Sequence, residues 1–111
     1  MSDARLPAHL EAASLIRLTE SLGGFATVLA KGERDGGTIL IAIMCRGGSA
    51  QLYERMPGLD GSRSFVTTKI QDPDNPSEFS EYLERRRRQD PDLWILEVDI
   101  DEAERFTAIL P

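Results

Sequence analysis

The sequence predicts a single α+β domain over residues 1–111, with the element order α-β-β-β-β-α-β-α. Two observations predict this class. Apolar residues recur at helical spacing near the N-terminus and again after residue 75, and short apolar segments bounded by turn residues lie between and beyond those helices. Four consecutive strands with short connections are typical of an antiparallel meander. We therefore expect a mainly antiparallel five-stranded sheet with the helices packed on one of its faces.

The first helix is predicted over Ala8–Leu22. Apolar side chains recur there at steps of three and four residues, and polar side chains occupy the rest of the surface, so the helix is amphipathic. Pro7 suits the first turn, because a backbone N–H has no helical partner there. Gly23 and Gly24 then provide the left-handed backbone at which many helices end.

Four strand segments follow the first helix. Phe25–Ala30 is apolar on both faces, and the turn cluster Glu33–Gly37 separates it from Ile39–Met44. The latter is apolar without a break, which indicates a strand buried on both faces. Ser49–Met56 alternates between apolar and polar residues and is expected to be half exposed, nearer an edge. Phe65–Ile70 is rich in β-branched residues and completes the set.

The second helix and the last strand have clear boundaries. Asn75 is expected at the N-cap, Pro76 at the first helical position and Glu78 two residues later, which is a capping-box spacing. The helix should end near Gln89. Leu93–Ile100 begins apolar on both faces and becomes polar on one, so we place this strand inside the sheet. A short terminal helix follows it.

Composition and charge exclude several classes of site. The chain has one cysteine and one histidine, so neither an intramolecular disulfide nor a zinc site built on several Cys and His residues is possible. The formal net charge is −6, with residues 1–70 at net +1 and residues 71–111 at net −7. An acidic protein is a poor default binder of nucleic acid, because phosphate binding depends on clustered cations. We expect no cofactor. With no signal peptide and no membrane span in the sequence, we expect a cytoplasmic location.

Three single residues have an ordinary structural interpretation beside a functional one. Cys45 shares the phase of the apolar strand before it and is expected to be a small buried side chain rather than a catalytic thiol. His9, at a helix start, is expected to be a surface residue rather than a base. Trp94 lies in an apolar strand and is expected in the core, although an exposed tryptophan would mark a binding site.

The run Arg85–Arg88 has three interpretations. It can be the end of a helix whose cations favour the helix dipole, a contact for an acidic protein partner, or a phosphate-binding patch. Glutamates four residues before two of the arginines favour the structural interpretation, and Arg87 is then the arginine least accounted for. The expected pairs are Glu81 with Arg85 and Glu84 with Arg88.

The acidic stretch from Asp90 to Glu104 also has a functional alternative. Oxygen clusters bind calcium or magnesium, but the spacing of an EF-hand is absent. A paired-carboxylate hydrolase would need a cleft in which residues such as Asp92 and Glu97 converge with other groups. We expect no metal site.

Four strings of the sequence resemble a family of short alphaproteobacterial proteins that is known only as a domain of unknown function. The strings are Gly23–Leu29, Gly37–Leu40, Leu52–Arg55 and Asp90–Glu97. The likeness spans nearly the whole chain. It implies a bacterial, cytosolic, single-domain protein, and it implies no activity, ligand or catalytic residue.

These observations leave three functional hypotheses. The leading one is a small interaction module without catalytic activity, whose partner is another protein or a second copy of the chain. The second is nucleic-acid or nucleotide binding through Arg85–Arg88, which the acidic charge disfavours. The third is a hydrolase-type enzyme that combines carboxylates with Tyr53 and Arg55. We expect no membrane partner, and a small-molecule ligand stays open. The candidate binding residues are Tyr53, Arg55, Arg63, Arg87, Arg88 and Asp92.

Overall fold

The computed structural model describes residues 6–45 and 48–110, and the predicted burial of the Cys45 side chain lies outside the described residues. The predicted order of elements is confirmed. The helices are α1 (Ala8–Ser21), α2 (Ser77–Gln89) and α3 (Ala103–Ala108), and the strands are β1 (Phe25–Ala30), β2 (Ile39–Cys45), β3 (Gln51–Pro57), β4 (Arg63–Ile70) and β5 (Trp94–Ile100).

The five strands form one sheet in the order β1-β5-β2-β3-β4. The predicted interior position of the last strand is confirmed, since β5 lies between β1 and β2. It is antiparallel to β1 and parallel to β2, so the sheet is mixed, whereas β2, β3 and β4 form an antiparallel meander. The prediction that the first four strands form a meander was wrong for β1. This strand does not pair with β2, because β5 lies between them.

The helices cover both faces of the sheet, not one as expected. On the first face, α1 and α3 pack over a core that includes Ile41 and Leu96. On the second face, Phe79 and Leu83 of α2 pack in a separate core with Ile95. The physical reason lies in β2 and β5, which are apolar on both sides and therefore need a cover on each.

The loop between β1 and β2 is held where it crosses the start of β5. The Glu33 N–H donates to the carbonyl of Asp92 at 3.0 Å, and the Trp94 indole N–H donates to the carbonyl of Glu33 at 2.7 Å. Gly32 and Gly37 lie so close to the Asp92 carbonyl oxygen that a Cβ at either position would overlap it. Trp94 is buried, as predicted. The predicted hairpin turn is therefore a crossing loop fixed to a distant strand.

The same loop also satisfies the start of α1. The Ala8 and His9 N–H groups donate to the carbonyls of Asp35 and Arg34 at 2.9 and 2.8 Å. Backbone carbonyls of the loop therefore bind amides that a capping side chain binds in many helices. At the other end of the helix, Gly23 has the predicted left-handed backbone, with φ of +86°.

The start of α2 differs from the prediction. The helix begins at Ser77, and its N-cap Pro76 offers no side-chain hydrogen bond. The Asn75 carbonyl accepts the Glu78 N–H at 3.2 Å, and the Asn75 side-chain oxygen accepts the Ser77 hydroxyl at 3.3 Å. The Asn75 side chain is thus occupied by a neighbouring hydroxyl instead of capping the backbone.

Candidate interaction surface

Arg55, a predicted binding residue, joins β3 to α1. Its guanidinium donates to both carboxylate oxygens of Glu11, with Nη1 at 2.9 Å from Oε1 and Nη2 bound to Oε2. The guanidinium carbon lies 4.5 Å from the centre of the Phe65 ring. The Arg55 and Glu11 side chains are only 14% and 17% exposed. Arg55 is therefore committed to holding a helix on the sheet.

The preceding residue, Glu54, makes the equivalent contact on the opposite face. Arg86 of α2 donates to both Glu54 oxygens at 2.9 and 3.1 Å and to the Tyr82 hydroxyl oxygen at 3.0 Å. The Thr68 hydroxyl also donates to Glu54, at 2.5 Å. Burial alone would raise the pKa of Glu54, but the hydrogen bonds from Arg86 and Thr68 outweigh it and hold that pKa below its ordinary value of 4.5. The Glu54 carboxylate in turn raises the pKa of Arg86.

The other arginines of the run differ in their partners. Arg85 pairs with Glu78 at 3.7 Å, and Arg87 pairs with Glu84 at 3.5 Å. The two expected pairs at four-residue spacing are not found in the described part of the chain. Glu84 pairs with Arg87 instead of Arg88, and Arg85 pairs with Glu78 instead of Glu81. Arg88 makes no ion pair with the residues that the structure describes. Three of the four cations thus each contact a carboxylate.

Tyr53 and Arg63 line two separate cavities on the α1 face. The Tyr53 hydroxyl donates to the Gln51 side chain at 3.1 Å, and its cavity of about 470 Å³ lies against α3. Arg63 shares a cavity of about 320 Å³ with Arg55 and the start of α1. The enzyme hypothesis needs Asp92 or Glu97 to converge with these residues, and neither carboxylate lines either cavity.

Asp92 serves the backbone of its loop. Its N–H donates to the Asp90 side chain at 3.1 Å, and its carbonyl accepts the Glu33 N–H of the crossing loop. Its side chain is exposed. The structure therefore brings Asp92 to the joint of two loops and not to any of the other predicted binding residues.

The feature that sequence reasoning missed is the exposure of β1. This strand is one edge of the sheet, and its Phe25 and Leu29 side chains are 60% and 43% exposed. None of its six residues is charged. The opposite edge strand, β4, carries Arg63 and Lys69. Natural proteins protect sheet edges with charged side chains, so an uncharged apolar edge is the exception that needs an explanation.

A mainly apolar groove of about 240 Å³ adjoins β1 on the α2 face. A β-bulge at Leu29 turns both that residue and Ala30 toward the groove. The groove's apolar lining includes Leu29, Ala30, Ala42, Phe79, Leu83 and Ile95, and its polar lining includes Glu84, Arg87 and Glu97. Arg87, one of the predicted binding residues, is therefore part of this groove.

The strand register extends the groove into an open sheet surface. Phe25 is paired with Asp99 and Thr27 with Glu97, so these side chains share the α2 face. The α2 helix is attached to the strands farthest from β1. Its Arg86 pairs with Glu54 of β3, and its Glu78 pairs with Lys69 of β4 at 3.0 Å. We call Phe25, Thr27, Leu29 and Glu97 the β1 surface. It is uncovered because α2 is held away from it.

The described residues contain neither a metal-binding cluster nor a membrane-spanning helix. No three His, Cys, Asp or Glu side chains among residues 6–45 and 48–110 come together in a way that could hold a metal ion. In the same ranges, no helix has the length and hydrophobicity that crossing a bilayer requires.

Comparison with known proteins shows the family. Residues 6–108 match the family described as "Protein of unknown function (DUF1491)". The chain belongs to this family. No curated protein matches the chain.

Solved structures of DUF1491 relatives share the fold. A crystal structure of a DUF1491 family protein from Caulobacter crescentus CB15 is 31% identical, with a TM-score of 0.77, and the match covers 96% of this chain and 98% of that one. A solution structure from the same organism is 32% identical, covers 96% and 94% of the two chains and has a TM-score of 0.75. The protein Atu0922 from A. tumefaciens is 31% identical, covers 93% and 92%, and has a TM-score of 0.74. These relatives are alphaproteobacterial, as the sequence resemblance implied.

Proposed function

We propose that this DUF1491 protein is a cytosolic interaction module that binds an extended segment of another protein along β1. The observation that carries the proposal is the uncharged, exposed edge strand, which leads directly into an apolar groove. An edge strand has backbone N–H and C=O groups on its outer side that a second strand can pair with. Strand addition of this kind gives affinity through the backbone and specificity through side-chain pockets.

The groove provides the specificity. A strand added to β1 directs alternate side chains to the α2 face, because side chains of a strand alternate between faces. The side chain next to Leu29 then enters the groove between Ala30 and Leu83. An apolar anchor at that position would bury itself against Ile95 and Phe79, as the central residues of protein interfaces do.

Charge favours a basic partner. Glu97 and Asp99 of β5 lie on the same face as the groove, whereas Glu84 of the α2 wall is already paired with Arg87. The chain as a whole has a net charge of −6. Complementary charge speeds association and selects partners. A second copy would bring β1 itself, FATVLA, which has no basic residue to offer. We therefore infer a segment of another protein with alternating apolar residues and at least one Lys or Arg.

The nucleic-acid alternative is weakened by the arginine contacts. Arg85, Arg86 and Arg87 each already contact a carboxylate, and only Arg88 of the run has no ion pair within the described residues. Binding phosphate would require those pairs to be broken.

The test is selection of linear peptides from a random displayed library on the purified protein. We expect the selected peptides to alternate apolar residues with Lys or Arg. In fluorescence anisotropy, Leu29→Lys should weaken the best peptide at least about tenfold, because it removes the groove wall and adds a cation. Val66→Lys is the matched control, since Val66 is an exposed apolar residue of the other edge strand and is 40% exposed.

Three results would overturn the proposal. They are no enriched peptide, equal loss of binding in Leu29→Lys and Val66→Lys, or enriched peptides without basic residues. A second copy of the chain is the other possible occupant of β1, and sedimentation equilibrium of the protein alone detects it. A dimer that Leu29→Lys converts to monomer would assign β1 to a second copy instead.

A further inference from the structure

Beside the β1 surface lies Asp99 of β5, a carboxylate whose charge is not paired within the described residues. Asp99 is opposite Phe25 of β1 on one side and Met44 of β2 on the other, so the three side chains form one row on the α2 face. Asp99 is partly buried, and its side chain makes no ion pair or hydrogen bond with any residue in the described ranges. A carboxylate that has lost part of its hydration without gaining a cation favours binding of a cation from a partner.

Phe25 gives this carboxylate an aromatic neighbour. The Phe25 side chain is 60% exposed, and directly opposed residues of antiparallel strands have Cβ atoms about 4.5–5.5 Å apart. The same combination binds an arginine on the other face of the sheet. There, Arg55 donates to both oxygens of Glu11 while its guanidinium carbon lies 4.5 Å from the centre of the Phe65 ring. Asp99 and Phe25 provide a carboxylate and a ring without the arginine.

The other carboxylate of this face, Glu97, is less suited to the same contact. It is opposite Thr27, which has no ring, and it lines the groove together with the cation of Arg87. A guanidinium both stacks on aromatic rings and pairs with carboxylates. The row of Phe25 and Asp99 is therefore the part of the open face that fits an arginine side chain.

We propose that Phe25 and Asp99 bind an arginine of the segment that adds to β1, a proposal that rests on the proposed function. A residue of the added strand directly opposite Phe25 lies two strand spacings, about 9.5 Å, from Asp99. Its arginine side chain crosses the Phe25 ring and reaches the Asp99 carboxylate. Asp99 thereby becomes a specificity-determining residue for the partner.

The strand period fixes the distance between this arginine and the apolar anchor in the groove. Phe25 and Leu29 are four residues apart on β1, and both lie on the α2 face. The residues of the added strand that lie opposite them are then also four apart. The partner motif is an arginine and an apolar residue separated by three residues, in the order set by the direction of the added strand. A shift of one residue directs the arginine to the other face of the sheet.

The test is an NMR titration of the ¹⁵N-labelled protein with short synthetic peptides that are blocked at both ends. The predicted spacing is present, in the two chain orders, in TLTVTRT and TRTVTLT. The arginine is moved by one residue in TLTVTTR and RTTVTLT. We expect one peptide of the predicted spacing to shift β1 amide signals in a saturable way and to bind at least about tenfold more tightly than its shifted version. Lysine in place of its arginine should weaken binding at least about threefold, because lysine lacks the planar, two-pronged group.

Variants of the protein assign the effect to the two residues. Asp99→Asn should lower the affinity of the predicted peptide to that of its shifted version, and it should leave the shifted peptide unchanged. Asp92→Asn is the matched control, since it removes the same charge from an exposed position in the loop before β5 and should alter neither affinity. Phe25→Leu keeps an apolar side chain without the ring, so the preference for arginine over lysine should narrow. The ¹⁵N spectrum of each variant shows whether its fold is kept.

The failure of this proposal can be distinguished from the failure of strand addition. Peptides of both spacings that bind β1 equally well would overturn the arginine site and leave strand addition in place. The same conclusion follows if Asp99→Asn weakens binding no more than Asp92→Asn does, or if Phe25→Leu keeps the full preference for arginine. If no peptide shifts a β1 amide signal, strand addition itself is contradicted.

Discussion

Glu54 and Arg55 are neighbours on β3, yet each binds a helix on a different face of the sheet, and the polarity of the two ion pairs is reversed. The sheet provides the cation for α1 through Arg55 and the anion for α2 through Glu54. The Arg55–Glu11 pair is the more enclosed, while the Arg86 side chain of the second pair is 27% exposed. One dipeptide therefore fixes both helical layers.

This comparison explains why charged residues on β3 are poor indicators of a binding site here. A charge on a half-exposed strand looks available when only the sequence is considered. The helices of the two faces use both charges, and the edge strand that is left open, β1, has no charged residue of its own. Breaking each pair in turn measures how much the two layers depend on β3.

Arg55→Ala should have the largest effect. It leaves the Glu11 carboxylate mostly buried without its cation and removes the guanidinium from the Phe65 ring. We expect the free energy of unfolding to fall by about 3 kcal/mol, the lower end for breaking a buried pair. Urea denaturation measures it. Adding Glu11→Gln should recover part of the loss, and a fall below about 1 kcal/mol would show that the pair is not the main attachment of α1.

Arg86→Ala should have a smaller effect. Glu54 keeps the hydrogen bond from Thr68, and the arginine side chain it loses is partly solvated already. We expect a loss of about 1.5 kcal/mol in the same denaturation experiment, the lower end of the range for hydrogen bonds to charged groups, because the Arg86 side chain is partly exposed to solvent. Arg86→Lys is the control, since it keeps the charge without the two-pronged geometry. A loss equal to that of Arg55→Ala would remove the difference between the two faces.

The architecture could be predicted where the signal is local. The apolar spacing of α1 and the two-sided burial of β5 are visible in the sequence, and the structure confirms both. The neighbours of β5 are not local information. They depend on the crossing loop, whose Gly32 and Gly37 contact the distant Asp92 carbonyl. Two turn glycines have the same sequence signature whether they close a hairpin or fit against another strand.

The candidate site could be predicted only in part, for a related reason. Arg87 was a candidate and lies in the groove, and Tyr53 and Arg63 line cavities elsewhere. The β1 surface was missed because FATVLA reads equally well as a buried strand or an exposed edge strand. The insertion of β5 between β1 and β2 makes β1 an edge, and pairing order has no local sequence signal.

The Arg86–Glu54 pair should also make stability depend on pH, with a change in unfolding free energy smaller than that expected for Arg86→Ala. The pKa of Glu54 is below 4.5 in the folded protein, so its contribution to stability is present above that pH and is lost as the pH falls through the folded pKa. The difference in unfolding free energy between wild type and Glu54→Gln should therefore narrow in a series that descends from neutral pH to below 4.5. Glu33 and Asp60 also have lowered pKa values, so the comparison must use this variant and not acid denaturation alone. A constant difference would contradict the prediction.

Arg87→Ala should have the smallest effect on the free energy of unfolding. It measures the contribution of an ion pair within one helix, which does not attach that helix to the sheet. Arg87 and Glu84 lie on one helix, three residues apart, and both side chains are more than half exposed. Exposed pairs of this kind contribute about 0.5 kcal/mol or less. We expect urea denaturation to show a change no larger than this, and a further reduction of it at high salt because exposed charges are screened. A loss matching that of Arg86→Ala would mean that ion pairs within α2 matter as much as those that join it to β3. The importance of the Glu54–Arg55 dipeptide would then not follow from its position between the layers.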